Sequence, residues 1–315
     1  MDIVCCLDDN FVMPCGVLLL SICENNKAED ISFHIITEGL KDDNRIKLEA
    51  IAKQYDRKIC FYNINTSLLE KALDSPGLQN PDWTFSVYYR LLLGSVLPEN
   101  IDKVLYLDCD TIVCGSLNEL WSTDIANYAI GAVPDCSGDD IRFYNRLDYD
   151  FSLGYFNAGV LLINLLYWRR NNIESQLLEY MNSKVAILEY NDQDVLNYVL
   201  REQKKELSIK YNLMGRFFWQ TRFLYVRRKY WEDISFAIKN PVIIHYTDKS
   251  KPWYKESAIV MKDVWLKYYK LSAWRDTPLT YKAPFMRRLY IEIRRALKGS
   301  ETSKYRSEFM TDSVK

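Results

Sequence analysis

The stretch Val104-Leu105-Tyr106-Leu107-Asp108-Cys109-Asp110-Thr111 constrains the fold of this chain more than any other. A short continuous apolar run is what a strand buried on both faces looks like. Such strands belong to α/β sheets, where ligands bind beyond the carboxyl ends of the strands. Here the run delivers two carboxylates, Asp108 and Asp110, to that place. Paired acids repel one another and are costly to desolvate unless a positive group sits beside them. A divalent cation is the simplest such group. Magnesium and manganese favour carboxylate, phosphate and water oxygens, so the cation would bring phosphate with it. A single Asp would fit a polar loop; the pair fits one less well.

The rest of the chain agrees with an α/β architecture. Ile3–Leu7, Ile31–Thr37 and Lys58–Asn63 read as strands, with helical spacing at Val12–Cys23 and Asp42–Tyr55 between them. This βαβαβ rhythm predicts a parallel sheet with helices on both faces. Asp74–Pro81 is turn-rich and reads as an exposed loop, and Ser86–Leu93 resumes a helix. Ala129–Pro134 and Tyr155–Leu165 are further strands, Asn172–Met181 and Asp192–Leu200 helices, and Val242–Tyr246 a short late strand. With 315 residues and 48% hydrophobic content the chain can bury a large core. A net charge of −1 argues against nucleic acid as partner. GxGxxG and GxxxxGK[ST] are both absent, against dinucleotide and P-loop sites. The eight cysteines form no CxxC pair and several lie in apolar runs, which suits a reducing cytoplasm. No signal peptide is recognised at Met1-Asp2-Ile3, and no run reaches the roughly 18–20 apolar residues of a membrane span.

Other candidate site residues lie at strand ends. Histidine occurs only at His34, read as structural, and at His245, which closes Pro241-Val242-Ile243-Ile244-His245-Tyr246. An imidazole at a strand exit is a plausible third metal ligand beside Asp108 and Asp110, with Lys251 nearby to meet phosphate. Asp8 and Asn10 follow the first strand and, in a parallel sheet, share the edge with Asp108. They could pair with a nucleobase or ribose, although a helix cap at Asp9 or Asn10 is an alternative. Asn157-Ala158-Gly159 reads as a small amide-bearing turn useful against a ligand. In Asn191-Asp192-Gln193-Asp194 the acids suit a helix start, whereas Gln193 would serve well beside a sugar hydroxyl.

Taken together and in order, these segments resemble the family-eight retaining glycosyltransferases. That family includes bacterial lipopolysaccharide galactosyl- and glucosyltransferases, with glycogenin as a eukaryotic relative. The matching pieces are Asp2–Asn10, Val87–Leu91, Val104–Asp110, Phe156–Asn164, Tyr190–Leu196 and His245–Trp253, over about the first 255 residues. The resemblance implies a GT-A fold, with a Rossmann-like, mainly parallel central sheet flanked by helices. It also implies a UDP-sugar donor, UDP-galactose or UDP-glucose, and Mn2+ or Mg2+. By that similarity Asp108, Asp110 and His245 hold the metal against the diphosphate, and Asp8 and Asn10 face uridine. Arg90, Asp135, Asn157, Ala158, Asp192 and Gln193 surround the donor sugar, and Lys251 meets phosphate. Gln193 and Asp192 occupy the catalytic positions. For a retaining transfer, double displacement would need a nucleophile on the sugar's β face. Gln193 is a poor one and the adjacent Asp192 is expected to be engaged with sugar hydroxyls, so front-face attack is favoured.

Two positions depart from the family's pattern. Asp248 stands where glycine is expected in His-Tyr-x-Gly-x-x-Lys-Pro-Trp, and Asp82-Trp83 replaces a segment that carries His in some galactosyltransferases. The acceptor, a saccharide or glycolipid, is therefore not copied across. A non-catalytic UDP-sugar-binding protein on the same fold is one alternative. A phosphatase with DxD after its first strand is another, although that class expects Thr or Val where this chain has Ile112. Two parts are expected: a transferase domain over 1–275 and a basic C-terminal helical extension over 276–315. Within Tyr281–Arg306, Phe285, Leu289, Ile293 and Leu297 recur every four residues, opposite a run of arginines. Such a helix would attach the protein peripherally to the anionic inner face of the cell membrane, or dock on its own domain.

Overall fold

The computed structural model describes residues 1–64, 69, 85–218, 227–286, 288, 290 and 293. The expected loop at Asp74–Pro81, the Asp82-Trp83 departure and most of the basic helix lie outside them.

The central sheet has seven strands: β1 (Asp2–Cys6), β2 (Ser32–Thr37), β3 (Lys58–Asn63), β4 (Lys103–Leu107), β6 (Ile130–Pro134), β7 (Phe156–Asn164) and β8 (Lys204–Glu206). Their spatial order is β3-β2-β1-β4-β7-β6-β8. All run parallel except β7, which lies antiparallel between β4 and β6. Along β4 the side chains alternate between two cores. Leu105 and Leu107 join the one that holds helix α1 (Val12–Asn25), while Val104 and Tyr106 join the one under the helices Ile173–Lys184 and Asn191–Leu200. Burial on both faces is why this segment is apolar throughout.

α1 is apolar around its whole circumference because it is covered on more than one side. One neighbour is α2 (Asp42–Gln54), and another is a small second sheet of order β5-β10-β9, built from Thr111–Val113, Ile243–His245 and Leu213–Met214. Ser21 Oγ accepts the Val113 N–H at 3.1 Å, tying that sheet to α1. Pro14 stands in the first turn of α1, where its missing N–H leaves no helical bond unmade. The late strand read at Val242–Tyr246 thus belongs to this second sheet.

Two local expectations are corrected. Phe85–Leu92 is a 3-10 helix followed by a short α-helix, Leu93–Val96. Ser86 and Tyr88 through Leu93 are buried, so the segment is packed on more than one side. Asn157-Ala158-Gly159 is no turn but lies inside β7, where the pairing with β6 shifts register between Ala132 and Val133. That irregularity re-aims the Asn157 side chain. All eight cysteines are free. Among the described residues no helix is long and apolar enough to cross a membrane.

Candidate active site

Two adjacent sheets bring two distant segments, Asp108–Asp110 and His245, to one point. β4 ends at Leu107, and Asp108 N–H still bonds Gly159 O at 2.8 Å, so the first carboxylate is held by the sheet itself. The chain turns through Cys109 and enters β5 at Thr111, which pairs with His245 at the end of β10. His245 Nε2 lies 3.1 Å from Asp110 Oδ1 and 3.8 Å from Asp108 Oδ2. Ligand atoms on the three residues all fall within 4.8 Å of one another. Adjacent ligands of an octahedral ion with bonds of about 2.1 Å sit about 3 Å apart, so the cluster has the size of a metal site.

Each ligand is oriented from behind. Asp108 Oδ1 is taken by Tyr106 OH at 2.7 Å and by Arg90 Nη2 at 2.8 Å, which leaves Oδ2 facing His245. Burial pushes the Tyr106 phenol well up, so it remains a donor. Burial alone would raise the Asp110 carboxyl, but the charges of Lys251 and His245 outweigh it and hold the group well below the usual carboxylate range. Lys251 Nζ donates to Asp110 Oδ2 at 2.7 Å.

The imidazole is set by a relay of amides. The Gly159 N–H donates to Asn157 Oδ1 at 3.0 Å, which fixes that oxygen as an acceptor. Asn157 Oδ1 therefore also accepts from Asn212 Nδ2, at 2.9 Å. Asn212 Oδ1 must then face His245 Nδ1, at 2.9 Å, and the proton belongs on Nδ1. Nε2 is the nitrogen that faces the carboxylates, and so the one a metal would take. Gly159 makes room for this: a Cβ there would stand 2.1 Å from His245 Cε1 and 2.7 Å from Asp108 Oδ2. Two carboxylates with one imidazole suit magnesium or manganese.

Beside the cluster lies a polar wall. Asn157 Nδ2 donates to Asp135 Oδ2 at 3.1 Å and to Gln193 Oε1 at 3.2 Å. Gln193 Oε1 also accepts the Ala158 N–H at 3.0 Å, and Gln193 Nε2 lies 3.4 Å from Asp135 Oδ2. Gln193, expected to offer its amide to a sugar, is thus already bonded through both ends.

Arg90 and Asp192, expected beside the donor sugar, are both buried and pair with each other. Arg90 Nε is 3.0 Å from Asp192 Oδ2, and Nη1 donates to Ala158 O at 2.7 Å. Burial would lower the Arg90 pKa, but Asp108 and Asp192 hold it well above its ordinary value. Burial raises the Asp192 carboxyl to about 7 against the pull of Arg90. Asp8 lies just beyond β1, the neighbour of β4, as expected for the shared edge. Asp8 itself is the cap of the 3-10 turn Asp9–Phe11, accepting the Asn10 N–H at 2.9 Å, whereas Asp9 accepts from Asn44 Nδ2.

Sequence reasoning missed Asn212, a buried neutral side chain with no motif to announce it. It also read Asp194 only as a helix-start acid. Asp194 is fully buried, paired to Arg146 and hydrogen-bonded by Tyr155 OH, and it accepts the N–H groups of Glu189 and Tyr190. With Asn197, which brackets Phe156 N–H and C=O at 2.8 Å each, it pins the Gln193 helix onto β7.

Comparison with known proteins identifies the family. Residues 2–257 match the family described as "Glycosyl transferase family 8". A lipopolysaccharide 1,2-glucosyltransferase of Escherichia coli is 32% identical over 275 residues, covering 86% of this chain and 78% of that protein. General stress protein A of Bacillus subtilis is 29% identical over 280 residues, covering 87% and 94%. The crystal structure of the galactosyltransferase LgtC in complex with donor and acceptor sugar analogs aligns with a TM-score of 0.77 at 28% identity, covering 88% of this chain and 99% of that one. The sheet order with one reversed strand, the Asp-Asp-His cluster and these matches agree: the chain is a GT-A-fold glycosyltransferase and belongs to glycosyl transferase family 8.

Proposed function

We propose that this protein transfers a hexose, glucose or galactose, from a UDP-sugar to a saccharide acceptor in lipopolysaccharide or a related surface glycan, with retention of configuration. The observation that carries the reading is the convergence of Asp108, Asp110 and His245 from two sheets, with Lys251 alongside. Asp108 Oδ2, an Asp110 oxygen and His245 Nε2 would hold manganese or magnesium. Bound there, the ion would supply positive charge to the diphosphate as the sugar leaves. Lys251 is poised to exchange its contact with Asp110 for one with phosphate. Asp8 and Asn10, on the neighbouring strand tip, lie where the nucleoside end would extend. Asp135, Asn157, Ala158 and Gln193 form the wall against which the hexose would rest.

Retention by front-face attack is favoured over a covalent intermediate. The Gln193 amide is a poor nucleophile and is already hydrogen-bonded, and the Asp192 carboxylate is turned toward Arg90. The acceptor hydroxyl would then pass its proton to the departing phosphate. Relatives named for lipopolysaccharide glucosyl and galactosyl transfer support the hexose and the glycan class. The C-terminal extension supports an acceptor presented at a membrane. Phe285, Met286, Tyr290 and Ile293 expose apolar side chains on a strongly basic segment, which suits peripheral contact with the anionic inner face of the cell membrane. The deciding experiment is a panel of UDP-sugars assayed for manganese-dependent hydrolysis without acceptor. UDP-glucose or UDP-galactose should be turned over and EDTA should stop it; turnover of neither, with or without metal, would reject the reading.

A further inference from the structure

A chain of polar contacts crosses the site outside the metal cluster. Asp248 lies in the loop between His245 and Lys251, so its carboxylate shares a short segment with a metal ligand and the phosphate-side lysine. An unpaired carboxylate there would oppose any ligand that brings a diphosphate. This one is paired. Its Oδ1 lies 3.7 Å from Arg216 Nε, with side-chain exposures of 45% for Arg216 and 39% for Asp248. Arg216 also reaches the other way, donating from Nη1 to Ser137 Oγ at 3.0 Å. The Ser137 N–H in turn donates to Asp135 Oδ1 at 2.8 Å. Asp135 Oδ2 accepts from Asn157, the amide that sets the His245 relay. A single guanidinium therefore joins the loop carrying Lys251 to the wall carrying Asp135, Asn157 and Gln193.

We infer that Arg216 is a positioning residue of the donor site, which cancels the charge of Asp248 and ties the phosphate-side loop to the sugar-side wall so that a nucleoside diphosphate can bind. The inference rests on the UDP-sugar reading. Arginine suits the task because its planar fork can serve two acceptors in different directions while staying charged. Mutating Asp248 alone removes a repulsion that Arg216 already masks; mutating Arg216 alone uncovers it.

The test is calorimetric titration of UDP with Mn2+ into wild type, R216A, R216K, D248N and R216A/D248N, with KM and kcat for donor hydrolysis beside it. For R216A, Kd for UDP and donor KM should rise about fivefold, the size of a partly exposed charge pair, while kcat changes by less than about twofold. D248N should bind UDP as well as wild type or better. In R216A/D248N the Arg216 defect should shrink to within about twofold of D248N, and R216K, which keeps the charge but lacks the two-way fork, should fall between wild type and R216A. A double variant as weak as R216A, or an R216A defect confined to kcat, overturns the inference. Wild type that binds no UDP in the presence of manganese would instead remove the donor reading, so the two failures are distinguishable.

Discussion

Asn212 carries no charge, yet by holding His245 Nδ1 it decides that Nε2 faces the carboxylates. The direction of its amide follows from a backbone N–H two residues along the relay, at Gly159, and no sequence motif encodes that dependence. Asn212→Ala should weaken manganese affinity about 10- to 100-fold, the usual cost of losing a group that orients a ligand. Manganese titration followed by electron paramagnetic resonance reads this directly, and unchanged affinity would mean that the relay does not set the imidazole. Asp110→Asn should remove most activity, because the substitution takes away charge and a ligand oxygen while leaving the side chain's shape; wild-type turnover with an unchanged manganese response would dismiss the metal assignment. Asp192 gives a pH signature. Its folded pKa, about 7, lies above the ordinary carboxylate value, so the folded state holds an extra proton in between. Its contribution to stability is therefore present at acid pH and is lost as pH rises from about 4 to 7. Thermal melts across that range should show wild type losing stability relative to Asp192→Asn, by an amount on the order of a few kcal/mol at most. A pH-independent difference would show that Asp192 stays ionised.

At the scale of elements, β7 does two jobs. It fills the gap between β4 and β6, and its irregular start turns Asn157 toward the site while Gly159 lets the imidazole approach. The apolar run after Gly159 made the strand legible. The bend did not, because a register shift depends on the partner strand and not on the residues of β7 alone. Gly159→Ala should keep the far-ultraviolet circular dichroism of the wild type but lose manganese binding, since a methyl group would occupy the space of His245 Cε1. Retained metal affinity would mean that β10 can retreat. The 3-10 segment Phe85–Leu92 shows the same division. Its hydrophobic content is visible, but its 3-10 backbone is not, nor that it carries Arg90 to Asp108, Asp192 and Ala158 O at once. The basic extension is an element whose role concerns the surroundings of the protein. Deleting Tyr281–Lys315 should release it from anionic vesicles in a sedimentation assay while donor hydrolysis persists; undiminished vesicle binding would reject membrane contact through the extension.

Across the whole molecule, the Asp-Asp-His cluster depends on two sheets meeting. Asp108 hangs from the central sheet, and His245 from a small sheet fastened to α1 through Ser21 and to β4 by one turn. A ligand that binds both should stabilise the folded chain by mass action. The sequence alone determined the parallel α/β architecture, the strand that carries the acids, and the residue types able to hold a metal and a diphosphate, because apolar runs and strand-end polar groups are local patterns set by burial. Tertiary structure decided which nitrogen of His245 faces the carboxylates, the pairing of Arg90 with Asp192, and the coupling of Asp248 to Arg216. Those arise from contacts between segments tens to over a hundred residues apart, and hydrogen-bond direction and charge pairing are fixed only once the segments are packed.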